Sequence, residues 1–328
     1  MKEIFNILLA HKTLPKPLAK QVLINIAEGK YNNSQIASFL GIFMMRSISV
    51  EELEGFREAL LDLCIPVDLS AYDPIDLCGT GGDGKDTFNI STLASFVVSG
   101  TGIKVAKHGN YGVSSVCGSS NVLEFLGVKF SNNIEVLKKN IEGAGICFMH
   151  APLFHPAMKN VAPVRKELGM KTFFNMLGPM VNPSRPKKQM VGVFSLELAR
   201  LYSYLNQKTP NQFVIIHSLD GYDEVSLTGD FKMLSNNFER MVKPSDLGLK
   251  LVDPLEISGG KTVEDSAKIF LDVLNGNGSP AQKNVVCANA AMAIHCYYPE
   301  LTLTDAFKLG MESLVSKRAL QSFKKLAE

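Results

Sequence analysis

The sequence predicts an α/β protein with a mostly parallel central sheet flanked by helices and a smaller all-helical subdomain. Two observations carry this. Up to Pro66 the apolar residues recur only at helical spacing, and after Pro74 short β-rich runs alternate with helical segments. The length of 328 residues suits two domains, or one large domain with a subdomain attached.

Taken in order, "IFNILLA", "PLAKQVLINIAEG", "NSQIASFLGIFMMRSI" and "SVEELEGFREALLDL" each read as an amphipathic helix. Asn33 or Ser34 is expected to cap the third. Ser49 and Glu52 form a capping box on the fourth, with Ile48 and Leu53 as its hydrophobic staple. Pro66 and Pro74 bracket a linker. The runs "IDLCG", "IKVAKH", "ICFMHA", "QMVGVFS" and "QFVIIHS" then read as strands, separated by helical stretches such as "STLASFVVSG" and "NIEVLKKNIEGAG". Near the end, Ser279 caps a helix with Pro280 in its first turn. The alanines at 288, 290, 291 and 293 imply close packing on a neighbouring element, and a binding role for Gly276 and Gly278 is the alternative reading of this segment.

Bulk properties narrow the function. The chain is 46% apolar and 20% charged, an ordinary globular composition. A formal charge of +2 gives no global field for nucleic acid or a membrane surface. The six cysteines form no C-x-x-C pair and read as buried, reduced thiols of a cytoplasmic protein. The first residues show no secretory leader, and no window approaches the ~18 apolar residues of a membrane span.

The richest chemistry lies in "DLCGTGGDGKDTFNIST" (76–92). Gly79, Gly81 and Gly84 satisfy the dinucleotide pattern G-x-G-x-x-G. That pattern should run directly into a helix and be followed about 20 residues on by an acidic residue. Here Lys85–Phe88 intervene, and no Asp or Glu occurs from Thr87 to Leu123. The loop suits an anion instead. Glycines admit a phosphate to the backbone, and a helix opening near Ser91 aims its N–H groups and dipole at the same place. A capped helix after a tight turn would give a similar pattern. However, "IKVAKHGNYGVSSVCGSSNVLEFLG" repeats the design, with Ser119 or Ser120 as cap and Gly127 as terminator. Two such loops suggest a ligand with two separate phosphate groups.

Together, "GTGGD" (79–83), "N-x-S-T" (89–92), "KHGN" (107–110), "APLFHPAMKNVAPVRKELGMKTFFNMLGPMVNP" (151–183) and "DGYDEVS" (220–226) resemble the anthranilate phosphoribosyltransferases of tryptophan biosynthesis. The resemblance covers nearly the whole chain. It implies transfer of a phosphoribosyl group from phosphoribosyl pyrophosphate to anthranilate. It also implies a helical subdomain at 1–70 joined by a segment near 165–185, a phosphoribosyl pyrophosphate-binding domain at 71–328, and a cytoplasmic homodimer formed through the helical subdomain. On the family pattern Gly79, Gly82, Asp83, Thr87, Asn89, Ile90, Ser91, Thr92, Lys107 and Ser119 surround phosphoribosyl pyrophosphate. Ser91, Asp223 and Glu224 match the ligands of Mg2+, with two ions expected. Gly79, His108, Asn110, His155 and Arg165 match the anthranilate positions, and an alternative role for His155 is to order its own loop. Lys107 and His108 are the expected electrostatic contributors, with no side chain assigned as a general base.

Three positions depart from the family pattern. Tyr111 stands where Arg is common, Asn121 where Asp is common, and Lys171 where Arg is frequent. The first two changes are expected to compensate each other. The architecture is shared with pyrimidine nucleoside phosphorylases, but their Lys-Ser-Gly-Arg phosphate motif is absent from the sequence. A nucleic-acid-binding relative would need a basic surface and loss of the acidic pair, and neither is found.

Overall fold

The structure is a computed structural model that describes residues 1–112 and 116–328. Part of the second glycine- and serine-rich loop, 113–115, lies outside the described residues. In chain order the elements are α1 (Lys2–Leu9), α2 (Lys16–Ala27), α3 (Asn33–Met44), α4 (Val50–Leu63), β1 (Ile75–Gly79), α5 (Ile90–Ser99), β2 (Val105–Gly109), α6 (Ser119–Phe125), α7 (Ile134–Gly143) and β3 (Ile146–His150). They continue as α8 (Ala151–Phe154), α9 (Ala162–Leu168), α10 (Phe174–Leu177), β4 (Lys188–Gly192), α11 (Leu196–Gln207), β5 (Gln212–Ser218), β6 (Phe231–Ser235), β7 (Glu239–Val242), α12 (Val263–Leu274), α13 (Pro280–Tyr297), α14 (Leu303–Val315) and α15 (Arg318–Ala327). Two compact units result: Met1–Val67 with Ala151–Pro183, and Asp68–His150 with Ser184–Glu328.

The helical unit is therefore discontinuous in sequence. The added segment begins at Ala151, ahead of the 165–185 stretch expected, because α8 and α9 also belong to it. Its core is aromatic. Phe173 stacks on Phe56 with ring centroids 4.5 Å apart, and its ring meets those of Phe43 and Phe39 at 5.3 and 6.1 Å. Ser49 and Glu52 form the capping box on α4, while α3 is capped by Asn32 with Gln35, one residue ahead of the expected Asn33. Glu52 does more than cap. Fully buried, it also accepts from the Leu14 N–H at 2.8 Å and from the Arg46 guanidinium.

In the second unit, seven strands form one sheet in the order β3-β2-β1-β4-β5-β6-β7. The first five are parallel and the last two antiparallel. β1 through β5 are buried on both faces, which explains their nearly continuous apolar runs. α13 is buried on every side between 285 and 294, except at His295 beyond, so its small residues do lie at close helix and sheet contacts. All six cysteines are free and buried. No helix among the described residues is long and apolar enough to cross a membrane.

The strand order reverses direction between β1 and β4. In a doubly wound sheet this is where the crevice beyond the carboxyl ends of the strands opens. Gly79 and Gly192, the last residues of β1 and β4, lie side by side there.

Candidate active site

The crevice at the switch point is floored by the loop from β5 to β6. Asp223 sits on the paired strand ends so closely that they must be glycine. A Cβ at Gly192 would stand 1.6 Å from the Asp223 carbonyl oxygen, and one at Gly79 would stand 2.3 Å from Asp223 Oδ2. The same Oδ2 accepts from the Gly81 N–H at 2.6 Å. Gly81 adopts φ +67°, which turns that N–H toward the carboxylate. The glycine loop is thus wrapped around an acidic side chain contributed from far along the chain.

Burial dominates the electrostatics. It pushes the Asp223 carboxyl up to about 7, with Asp83 adding repulsion and the Gly81 N–H opposing. Burial, Asp223 and Asp83 raise Glu224 well above the carboxylate range, while Lys107 and the Ser91 N–H pull it down. Ser91, Asp83, Asp223, Glu224 and Lys107 are therefore electrostatic neighbours. Glu224 Oε2 and Asp83 Oδ2 are buried and lack a hydrogen-bond partner. Two orphaned hard oxygens beside a hydroxyl residue fit a hard divalent cation such as Mg2+. Among the described residues, no three His, Cys, Asp or Glu side chains stand ready to hold an ion unaided.

The rest of the first loop is pinned from both sides. Asp86 O accepts from the Gly259 N–H at 2.7 Å, and Thr87 bridges to Ser258. Gly82 has φ +81°, and Asp83 Oδ1 accepts from the Lys85 N–H. Asn89 stands at the head of α5, but its side chain does not cap the helix. It donates to the Cys117 carbonyl at 2.9 Å and so ties the first loop to the second. Ile90 and Thr92 are buried in the first turn of α5, and Ser91 between them is partly open.

Lys107 and His108 lie on β2, both buried. The Lys107 ammonium donates to the Leu77 carbonyl at 2.6 Å. Burial lowers its pKa, with Cys78, Asp76 and Glu224 opposing. The His108 N–H donates to Asp76 Oδ1 at 3.3 Å. The Asn110 carbonyl accepts from the Ser120 N–H and, at 3.3 Å, from Ser119 Oγ. α6 is opened by Gly118, not by Ser119 or Ser120, and the side chain of Asn121 does the capping. Its Oδ1 accepts from the Gly118 N–H at 3.0 Å and from the Gly112 N–H at 2.9 Å. Tyr111 is engaged elsewhere: its hydroxyl donates to Glu124 and its ring meets His150. Among the described contacts, none joins the Tyr111 and Asn121 side chains in support of the expected compensation.

His155 and Arg165 belong to the helical unit. Burial pushes the His155 imidazole down to about 4, despite a hydrogen bond to the Val181 carbonyl. It is thus neutral at physiological pH. Arg165 donates to Asn175 Oδ1 at 3.1 Å and lies over the Phe174 ring at 5.3 Å. Burial lowers its pKa. The guanidinium is thus oriented by an amide and an aromatic face.

Four contributors were missed in the sequence. Gly192 ends a strand without any glycine-rich motif around it. Ser258 and Gly259 clamp the Asp86–Thr87 backbone, and Asn289 on α13 bonds the backbone of Val225 beside the acidic pair. Only the "ANAAMAI" run around Asn289, one amide among small apolar residues, carried any signal.

The two units and the switch-point site define a glycosyl transferase architecture. Residues 71–320 match the model of the glycosyl transferase family a/b domain, and residues 2–64 match that of the family's helical bundle domain. The chain is 63% identical to the anthranilate phosphoribosyltransferase of Flavobacterium psychrophilum, over 100% of this chain and 99% of that one. The crystal structure of the Thermus thermophilus enzyme of that name superposes with a TM-score of 0.91 at 30% identity, covering 98% and 97% of the two chains. The Saccharomyces cerevisiae enzyme in complex with PRPP and Mg gives 0.89 at 27% identity, covering 98% and 95%. The chain belongs to the anthranilate phosphoribosyltransferase family.

Proposed function

We propose that this chain transfers the 5-phosphoribosyl group of phosphoribosyl pyrophosphate to the amine of anthranilate. The products are N-(5-phosphoribosyl)anthranilate and pyrophosphate, and the reaction serves tryptophan biosynthesis. The observation that carries the proposal is the acidic pair Asp223–Glu224, with Asp223 seated on Gly79 and Gly192, and the unpartnered oxygens of Glu224 and of Asp83 in the glycine loop beside it. Family membership over the full length supports the same reading.

The α/β unit holds phosphoribosyl pyrophosphate. The N–H groups of the Gly79–Asp83 turn and the opening of α5 at Asn89–Thr92 take one phosphate region, and Lys107 and Ser119 contribute to the other. Ser91, Asp223 and Glu224 would hold Mg2+, as two ions. When bound, Mg2+ neutralises the charge of the pyrophosphate leaving group. The C1–O bond to pyrophosphate breaks ahead of C1–N bond formation, and the ribose becomes oxocarbenium-like between the two events. The chain contributes preorganised charge. Lys107 is held against Leu77, and an arriving anion favours its protonated form, which then stabilises departing negative charge. The aniline nitrogen attacks the opposite face, and its proton passes to solvent once the new bond makes it acidic.

In the α/β unit, His108, Asn110 and the Gly79 backbone are the anthranilate candidates; in the helical unit, Arg165 offers a fork that matches a carboxylate. His155 shapes that region as a neutral ring. Much of the rate comes from fixing two substrates in one geometry. The chain works as a cytoplasmic homodimer through its helical unit.

The test is anthranilate fluorescence followed with purified protein, Mg2+ and phosphoribosyl pyrophosphate. Consumption should need both additions. Consumption without phosphoribosyl pyrophosphate, or none with everything present, overturns the proposal.

A further inference from the structure

We propose that Asn289 is a positioning residue for the acidic pair, holding Asp223 and Glu224 in register over the ends of β1 and β4. The inference rests on the reading of that pair as metal ligands. Asn289 is 1% exposed, on a helix packed on all sides. Its amide mimics the edge of a β-strand toward Val225. Oδ1 accepts from the Val225 N–H at 3.0 Å, and Nδ2 donates to the Val225 carbonyl at 2.9 Å. The second Nδ2 hydrogen goes to the Val285 carbonyl one helical turn back, also at 2.9 Å. Three hydrogen bonds thus fix both the amide and the backbone it grips. On the other side, Ser218 Oγ at the end of β5 donates to the Glu224 carbonyl at 2.6 Å.

The loop needs such a grip because its register is intolerant. The Asp223 backbone rests on two glycines with no room for a methyl group. A slip of one residue would replace a carboxylate with the side chain of Val225, which is fully buried on the core side. Packing alone sets depth, whereas a bidentate amide sets position along the chain. The carboxylates also disfavour their own charged state when buried, so without a fixed backbone they would relax toward solvent. Partners of this kind around ligating side chains typically change metal affinity by ~10–100-fold when removed.

The variants Asn289→Asp and Asn289→Ser test this. The first is isosteric but puts an acceptor against the Val225 and Val285 carbonyls. The second keeps one donor, adds no charge, and serves if the first does not fold. Calorimetric titration with phosphoribosyl pyrophosphate is run at limiting and at saturating Mg2+, beside hydrogen exchange of the Val225 amide. Expected results are affinity lowered about tenfold or more at limiting Mg2+, recovery toward wild type at saturating Mg2+, and faster exchange at Val225. A merely structural role would lower thermal stability and leave the Mg2+ requirement within about twofold, and that result overturns the proposal. Asp223→Asn with Glu224→Gln is titrated in parallel. If that double variant keeps the wild-type Mg2+ requirement, the metal reading itself fails. If only the Asn289 variants keep it, the failure belongs to this inference alone.

Discussion

The Asp223 carboxylate accepts the Gly81 N–H at 2.6 Å across 142 positions of sequence. One hydrogen bond thus joins the glycine loop after β1 to the acidic loop after β5, and the glycines at 79 and 192 let the two approach. Gly192→Ala should therefore act as an active-site mutation although residue 192 has no side chain. Its Cβ would displace the Asp223 backbone by more than an ångström, for which a loss of about 100-fold in kcat/KM is expected. Steady-state kinetics over a Mg2+ series would check it. Wild-type kinetics in a folded alanine variant would remove the argument for close packing.

Lys107 is a buried cation whose nearest bond is to a carbonyl. Replacing it by Met removes a desolvated charge from the core, so stability should change by no more than about 2 kcal/mol in either direction. Catalysis should suffer far more, by at least ~100-fold in kcat/KM for phosphoribosyl pyrophosphate. Denaturant melts and initial rates on the same preparation separate the two effects. A large stability loss with modest kinetic damage would make Lys107 a structural residue.

Asp223 and Glu224 give the metal-free protein a signed pH dependence. Their folded pKa values are raised, so the native state holds protons that the unfolded state has released. For Asp223, stability is then fullest below about pH 4 and declines as pH rises through about 7, and Glu224 acts in the same direction. Mg2+ with phosphoribosyl pyrophosphate should restore it, more strongly at pH 8 than at pH 6, because the ligating form is the deprotonated one. Melting temperatures at the two pH values, with and without both additions, would show this. A ligand-induced shift larger at pH 6 would contradict it.

Glu52 makes the opposite prediction for the helical unit. Burial alone would raise its pKa, but the Arg46 guanidinium and the N–H groups of Leu14 and Ser49 outweigh burial and hold it below the usual value. Its contribution is present above about pH 4.5 and lost as pH falls through the folded pKa. Glu52→Ala should cost about 3 kcal/mol by leaving Arg46 and two backbone donors without their partner. Urea unfolding would measure it, and a cost below about 1 kcal/mol would mean that the network is dispensable.

Tyr111 and Asn121 should behave independently. The first hydroxyl is bonded to Glu124, while the second side chain closes the loop onto Gly112 and Gly118. Tyr111→Arg would find Glu124 as its counter-ion, and Asn121→Asp would keep both acceptor bonds. A double-mutant cycle on activity should close to within about 0.5 kcal/mol. A coupling above about 1 kcal/mol would restore the idea of a compensating pair.

The parts of this molecule that were legible in sequence are those whose signal is local. The five parallel strands are buried on both faces and therefore spell continuous apolar runs. The two loops announce themselves by glycines and hydroxyls, and by the lack of any carboxylate from Thr87 to Leu123. β6 and β7 were both missed; β7 (Glu239–Val242) exposes three of its four residues and reads as a loop. Gly192 and Ser258 were silent, and Asn289 was marked only by the small apolar residues around it. Each acts through one contact with a residue distant in sequence, and a lone glycine, serine or asparagine looks the same wherever it is used. The caps show the same limit at short range. Asn32 and Gly118 won over Asn33 and Ser119 through backbone geometry that composition does not encode.

The aromatic core of the helical unit also imposes an order on biosynthesis. Phe39, Phe43 and Phe56 emerge from the ribosome early, whereas the ring that packs among them, Phe173, is translated only after three strands of the sheet. At ordinary elongation rates that wait is on the order of ten seconds. Throughout it, the leading helices present an apolar face with no native partner. The amino-terminal helices expressed by themselves would keep that face uncovered and would be prone to self-associate.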